Sequence, residues 1–274
     1  MSFAERTIPV EGYDAHYIEA GTGYPLLLIH GSGPGASTIG NWRSVLGPLS
    51  QQFHVYAMDL IGFGGSPRKR EQPYFDIPLW LRQCQALIDA MPGSRIGVIG
   101  HSLSGALALK LAAREPRIAE VLTTAAMGAP FAINPSVEKV WTFPTTRAEL
   151  RSTAEVLIRD RALIDDAYLD ARMAILHADP AYGAYFSAMF HGNRQAYIDA
   201  AVLADDELQK IRCKVSMLHG RDDVGFPLSI SLAIAERISQ ADVTLLGCCS
   251  HSIAMEQTDK FLAAAYSLFP KTTR

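Results

Sequence analysis

The stretch IGVIGHSLSGALALKLAA, Ile96 to Ala113, changes character at its middle. Ile96 to Ile99 reads as a short buried strand, whereas Ala106 to Ala113 is built from Ala, Leu and Lys, which favour helix. Between them stands Gly-His-Ser-Leu-Ser-Gly, Gly100 to Gly105. A serine between small residues at a strand-to-helix switch is what a nucleophile elbow requires. The turn is tight and strained, it excludes bulky neighbours, and it projects the hydroxyl of Ser102 from the sheet edge. The helix N-terminus there favours developing negative charge. The usual pattern is Gly-x-Ser-x-Gly; here Ser104 takes the last small position and Gly105 follows. The run approaches membrane-span length, but His101, Lys110 and the glycine break make it strand, turn and helix.

Working outward, aliphatic runs recur at Leu26–Ile29, Val55–Met58, Val121–Thr124, Val215–Leu218 and Val243–Leu246, separated by helical patterns. That alternation predicts a mostly parallel sheet flanked by helices. ERTIPVEGYDAHYIEAG, before it, predicts an opening antiparallel hairpin turning near Glu11-Gly12. From about Ala129 to Asp205 the strand runs vanish and helical periodicity takes over. The expected organisation is a core over 1–129 and 205–274, interrupted by a helical cap over 130–204.

After KVSMLHG comes Arg-Asp-Asp, and after DVTLLGC comes Cys-Ser-His-Ser. This places Ser102, an acid and His251 in the chain order nucleophile, acid, base, the acid and base each just past a strand. The acid is Asp223 or its neighbour Asp222. A second feature, LLLIHGSGPGAS from Leu26 to Ser37, leaves a strand through a glycine loop. Such a loop serves either a phosphate or an oxyanion. GSGPGA misspaces the dinucleotide fingerprint and Pro34 removes an amide, so Asp59, which ends the following strand, is not read as a ribose-binding acid. The oxyanion reading assigns one N–H to Ser32, with its hydroxyl as a further donor, and the second to Leu103, directly after the nucleophile.

Composition narrows the partners. Hydrophobic residues make up 49% of 274 and the formal net charge is -3, which gives no basic footprint for nucleic acid. The expected partner is a small-molecule substrate, without nucleic acid or membrane. The first twenty residues hold Glu5, Arg6, Glu11 and Asp14 and no signal-length apolar core, so the expectation is a cytoplasmic protein. Cys84, Cys213, Cys248 and Cys249 have no metal-ligand spacing and read as reduced thiols; no metal or cofactor is expected.

The elbow, the acid-to-base order and HGRDD together resemble the α/β-hydrolase fold, in which the last residue of a His-Gly-x-x-Asp turn faces the histidine; this selects Asp223. HGSGPGAS followed by NWR, the turn DLIGFGGS, the segment DARMAILHADPAYGAYFSAMFHGNRQAYIDAA and SHSIAMEQTDKF are similar to meta-cleavage product hydrolases over nearly the whole chain. The resemblance implies a serine-dependent hydrolase that cleaves the C–C bond of a 2-hydroxy-6-oxohexa-2,4-dienoate to 2-hydroxypentadienoate and a carboxylic acid. It implies that Arg172 binds the substrate carboxylate and Asn41 the dienoate oxygens, with Ser102, Asp223 and His251 catalytic. Asn41 equally reads as a helix N-cap. His101 and Ser252 stand at substrate-facing positions where the family commonly carries Asn and Trp. Trp141, Phe131, Phe186 and Met189 are candidates for the pocket of the 6-substituent or for packing between cap and core. The oligomer is open, a homodimer or higher homo-oligomer included.

Rival readings share the fold. A carboxylesterase or lactonase needs the same triad but no carboxylate-binding arginine, and a non-catalytic ligand receptor needs only the scaffold. Haloalkane dehalogenases and epoxide hydrolases need an aspartate at the elbow, which Ser102 excludes.

Overall fold

A computed structural model describes residues 3–270; positions 1–2 and 271–274, which the expected core segments include, lie outside the described residues. The strands are β1 (Ala4–Val10), β2 (Tyr13–Ala20), β3 (Tyr24–Ile29), β4 (Phe53–Met58), β5 (Ile96–His101), β6 (Ile118–Thr124), β7 (Lys214–Gly220) and β8 (Ala241–Leu246). They form one sheet in the order β1-β2-β4-β3-β5-β6-β7-β8. All pairs from β4 to β8 are parallel, while β1 pairs antiparallel with β2 and β2 with β4. Each of the six aliphatic runs read from the sequence lies within a strand. The opening hairpin turns at Glu11 and Gly12, both with positive φ (49° and 81°), the backbone that a two-residue hairpin connection demands.

The helices are α1 (Thr38–Ser50), α2 (Ile77–Ala90), α3 (Leu103–Ala112), α4 (Pro135–Val140), α5 (Arg147–Leu157), α6 (Asp166–His177), α7 (Tyr182–Met189), α8 (Gln195–Ala201), α9 (Asp205–Lys210), α10 (Ser229–Ala235), α11 (Ile253–Glu256) and α12 (Thr258–Leu268). Two apolar clusters cover the sheet. One gathers Leu27, Ile29, Val98 and the α2 and α3 side chains, and the other gathers Leu26, Leu28, Ile99 and the α1 and α12 side chains. Burial on both faces explains why β3 and β5 read as continuous aliphatic runs rather than alternating ones. Everything described between β6 and β7 is helix or loop. No helix among the described residues is long and apolar enough to cross a membrane.

The strand order reverses at β3. From there the chain moves outward to β4 and then returns to the other side of β3 as β5, so the loops after β3 and β5 leave the sheet side by side. Such a switch point opens a crevice beyond the strand ends, where open α/β sheets bind ligands. The parallel pairing of Ile29 with Gly100 brings the glycine loop and the serine turn into contact there.

Packing around the turn is close. A Cβ on Gly100 would lie 2.2 Å from the Ser104 carbonyl oxygen, and one on Gly105 would lie 2.4 Å from the Ala126 Cβ. Backbone is what Gly100 meets, so relief requires moving β5 against α3. Gly100→Ala is therefore expected to cost about 3 kcal/mol of stability, the upper part of the range for overpacking a tight core. Urea unfolding of both proteins checks this; a variant within about 0.5 kcal/mol of the parent would show that the turn has slack.

Candidate functional site

Ser102 links β5 to α3 with φ 57°, a left-handed backbone that serine adopts only under constraint. The constraint is visible in its hydrogen bonds. Its N–H donates to the Thr124 carbonyl at 2.9 Å, and its own carbonyl accepts from Gly105 and Met127 at 2.9 and 3.0 Å. Ser104 does more than stay small, because its hydroxyl donates to the His30 carbonyl and ties the elbow to the glycine loop. A Cβ on Gly31 would touch the His101 ring at 3.0 Å and the Ser102 Cβ at 3.2 Å, so that loop lies directly against the serine.

His251, in the loop between β8 and α11, approaches Asp223 with Nδ1 at 2.7 Å from Oδ2. Oδ1 of Asp223 accepts from the N–H groups of Gly225 and Phe226 at 3.0 and 2.9 Å. Burial would raise the Asp223 pKa, but the His251 charge and hydrogen bond, with the Phe226 N–H and His219, outweigh it and hold the carboxyl below its usual range. An ionised Asp223 fixes the imidazole with its proton on Nδ1 and leaves Nε2 as a base. Phe226 stacks on the His251 ring with centroids 4.3 Å apart. Asp222 turns the other way, to Arg159 at 2.8 Å and Arg221 at 3.4 Å. Of the two acids, Asp223 is thus the one that meets the histidine.

Ser102 and His251 line one cavity of about 90 Å³, together with Ser32, Asn41, His101, Trp141, Arg172 and Ser252. The polar residues singled out in the sequence for this site line it, except Asp223, which meets His251 instead. Among the described residues, neither the Ser32 N–H nor the Leu103 N–H has an acceptor, as two oxyanion donors require. The Ser32 hydroxyl accepts from the Trp141 indole N–H at 3.3 Å. Arg172, on α6, donates to the Pro34 carbonyl at 2.8 Å and the Gly35 carbonyl at 3.2 Å, and its buried Nε has no partner among the described residues.

Some expectations are corrected. Asn41 is not an N-cap: the cap of α1 is Ser37, whose hydroxyl accepts from the Gly40 N–H at 3.0 Å, and Asn41 sits inside the helix. Phe186 and Met189 do not line the cavity; both are buried, with Phe186 packed on Phe190 and Phe143. Phe131 instead packs on Phe226. Asp59 has a structural task. It accepts from the Thr38 N–H at 2.6 Å and the Gly65 N–H at 2.8 Å and pairs with His16 at 2.8 Å, anchoring the far end of the glycine loop.

Sequence reasoning missed Tyr168 and Trp42, which also line the cavity. Tyr168 lies four residues before Arg172 on α6, and that spacing was the signal that put both on one face. Trp42 follows Asn41, and its fully buried indole N–H has no partner among the described residues.

Residues 26–265 match the alpha/beta hydrolase family. The chain is 31% identical over 258 residues to 2-hydroxy-6-oxo-2,4-heptadienoate hydrolase of Pseudomonas putida, covering 94% of this chain and 93% of that protein. It is 31% identical over 257 residues to 2-hydroxymuconate semialdehyde hydrolase of a Pseudomonas species, covering 93% and 90%. The solved meta-cleavage product hydrolase of Pseudomonas fluorescens, a serine-to-alanine variant complexed with acetates, superposes with a TM-score of 0.90 at 30% identity and covers 96% of both chains.

Burial depresses the pKa of three histidines: His30, His219 and His101. At His101 the neighbouring His251, its ring centroid 4.8 Å away, adds to the effect of burial. A neutral His101 can donate from Nδ1 to Thr124, whose hydroxyl oxygen is 3.0 Å away, and keep Nε2 as an acceptor. Histidines held neutral in the fold but protonated when unfolded destabilise the protein as pH drops below about 6.5. His16, raised by its bond to Asp59, acts in the opposite sense and only above that pH. Asp59 and Asp223, held low, matter only below about pH 4. Stability should therefore fall between about pH 6.5 and 5, by up to about 1.4 kcal/mol per pH unit for each of the three histidines. His101→Asn should flatten that slope, which urea midpoints measured across the interval would reveal; an unchanged slope would mean that His101 titrates normally.

Proposed function

Because this chain belongs to the α/β hydrolase family and, within it, to the meta-cleavage product hydrolases, which hydrolyse carbon–carbon bonds, we propose that its substrate is a 2-hydroxy-6-oxohexa-2,4-dienoate, split into 2-hydroxypentadienoate and a carboxylic acid. Arg172 carries this reading. Its guanidinium meets only backbone carbonyls, its Nε is buried and unpaired, and it lines the cavity that holds Ser102 and His251. A half-buried cation without a carboxylate partner suits a substrate that brings one.

The reaction makes demands that the other residues meet. The dienol must first become a ketone, with a proton moved from the 2-oxygen to C5. The bond between C5 and C6 then breaks once C6 is tetrahedral, and the electron pair left on C5 flows toward the 2-oxo acid. His251, oriented by Asp223, moves the protons; either a water activated at the imidazole adds to C6 and the acid leaves directly, or Ser102 adds, keeps the acyl group when C5–C6 breaks, and is freed when a water releases the acid. The N–H groups of Ser32 and Leu103 stabilise the oxyanion on C6, worth about 3 kcal/mol each. Asn41 and the neutral His101 hydrogen-bond the dienoate oxygens, Ser252 borders the same end, and Arg172 stabilises charge arriving at the carboxylate. Trp141 borders the C6 carbonyl through Ser32. In this reading residues 130–204 form a cap over the core formed by 1–129 and 205–274, and the cap supplies Trp141, Tyr168 and Arg172. The small molecule is converted in the cytoplasm, without nucleic acid or membrane as partner.

The test mixes protein with a yellow dienoate and follows bleaching, beside a neutral nitrophenyl ester. Ser102→Ala should lower dienoate turnover by about a thousandfold or more. Arg172→Ala should cost about 2 to 5 kcal/mol in kcat/KM on the dienoate, with turnover as well as affinity affected, and far less on the ester. Equal losses on both substrates would remove Arg172 from the carboxylate site, and an unaffected Ser102→Ala protein would end the serine mechanism.

A further inference from the structure

The cavity has one hard end and one soft end. At the soft end, Asn41, Tyr168 and Arg172 are all partly exposed. At the hard end stands Trp141, only 1% exposed. Its indole stacks on Phe190 with centroids 5.1 Å apart and planes within 12°, meets Tyr197 edge-on at 6.1 Å, and is pinned by the Ser32 hydroxyl at 3.3 Å. Trp141 also lines a second, outer space of about 580 Å³, bordered by Phe143, Phe190 and His191. One indole therefore separates the catalytic cavity from open volume behind it.

The glycine loop gives the cavity a direction. Gly31 touches Ser102, and Ser32 bonds Trp141. Further along, Gly33 faces Val140 of α4, and Gly35 and Gly40 face Arg172. A substrate whose carboxylate lies at Arg172 and whose C6 oxygen lies at the Ser32 N–H carries its 6-substituent beside Trp141, because the indole is bonded to the hydroxyl of that same serine. The free space beside Ser102, about 90 Å³ in all, is less than the ~150 Å³ that accepts a benzene ring. Any substrate must displace a wall. The partly exposed side chains at the carboxylate end yield to a thin conjugated chain, whereas Trp141 is held on its face, edge and N–H.

Resting on the proposed dienoate reading, we infer that Trp141 is the specificity-determining residue for the acyl half. It confines the 6-substituent to hydrogen or methyl size, and its removal opens the catalytic cavity into the outer space. The acid released is then formic or acetic acid rather than an aromatic one.

The experiment compares kcat/KM for 6-methyl and 6-phenyl dienoates on the parent protein, Trp141→Ala and Trp141→Phe. The parent should prefer methyl by on the order of 100-fold. Trp141→Ala should raise the phenyl-to-methyl ratio at least about tenfold, with Trp141→Phe between the two. Because the ratio is taken within one protein, a loss of folded material cancels, and circular dichroism identifies any variant that fails to fold. Nitrophenyl acetate and benzoate, whose acyl groups occupy the same subsite, run in parallel. If no dienoate bleaches, the dienoate reading fails, and the acetate-to-benzoate ratio still decides the role of Trp141. A parent that cleaves phenyl and methyl substrates equally, or a ratio unmoved in both folded variants, overturns the inference.

Discussion

The close approach of three backbones beyond the ends of β3, β5 and β6 is the constraint from which the rest of the site follows. Gly100 lies against the Ser104 carbonyl, Gly105 against Ala126, and Gly31 against Ser102. Side chains at Gly100 and Gly105 would have to push the segments apart, and one at Gly31 would displace its neighbours by a smaller amount. Moving the segments apart would separate Ser102 from the Ser32 amide, and displacements of about 1 Å are costly in catalysis. The left-handed φ at Ser102 is the strained consequence, held by hydrogen bonds to Thr124, Gly105 and Met127. The neighbouring loops carry strain too, since Ala125 has φ 46° and Cys248, three residues before His251, has φ 55°.

Local patterns made much of this legible. The strand runs, the elbow and the order Ser102, Asp223, His251 depend on residues adjacent in sequence or on sheet topology, and aliphatic runs and glycines encode both. The choice of Asp223 over Asp222 rested on a resemblance, and the reason for it is tertiary: Arg159, over sixty residues upstream by its number, draws Asp222 away. Asp59 shows the converse. Its position invited a cofactor reading, and only the folded loop shows its carboxylate collecting the N–H groups of Thr38 and Gly65. Tyr168 and Trp42 went unread because aromatic residues in helices fill cores far more often than sites.

The polar inventory of the cavity is lopsided. Among the described residues, Arg172 Nε and Trp42 Nε1 are buried donors without acceptors in residues that line it, and the Ser32 amide adds a third. Leaving a buried donor unpaired costs about 1 to 3 kcal/mol. A site that retains several is preorganised for a ligand rich in oxygen and negative charge. The neutral histidines fit this arrangement, because His101, with its charge suppressed by burial and by His251, can turn a ring nitrogen to a substrate without bringing a second cation beside the base.

The fastening of the helical segment to the histidine loop determines how such a site can open. Ser252 N–H donates to the Leu157 carbonyl at 2.9 Å, and the Ser250 hydroxyl to the Val156 carbonyl at 3.1 Å, both at the end of α5. Glu256 accepts from the Arg159 and Asp160 amides with one oxygen and from the Ser250 amide with the other. The end of α5 and the loop carrying His251 are thus one unit, so swinging α5 away would drag the base off Asp223. Arg172, by contrast, reaches the glycine loop only through two carbonyls, from a helix whose first turns are partly exposed. Movement of α6 would open the Arg172 side of the cavity and leave the relation of serine, histidine and aspartate intact; movement of α5 would not. The tied-down histidine loop thus accounts for the stiffness of the end of α5, and the two carbonyl bonds of Arg172 for the softness of α6 beside it.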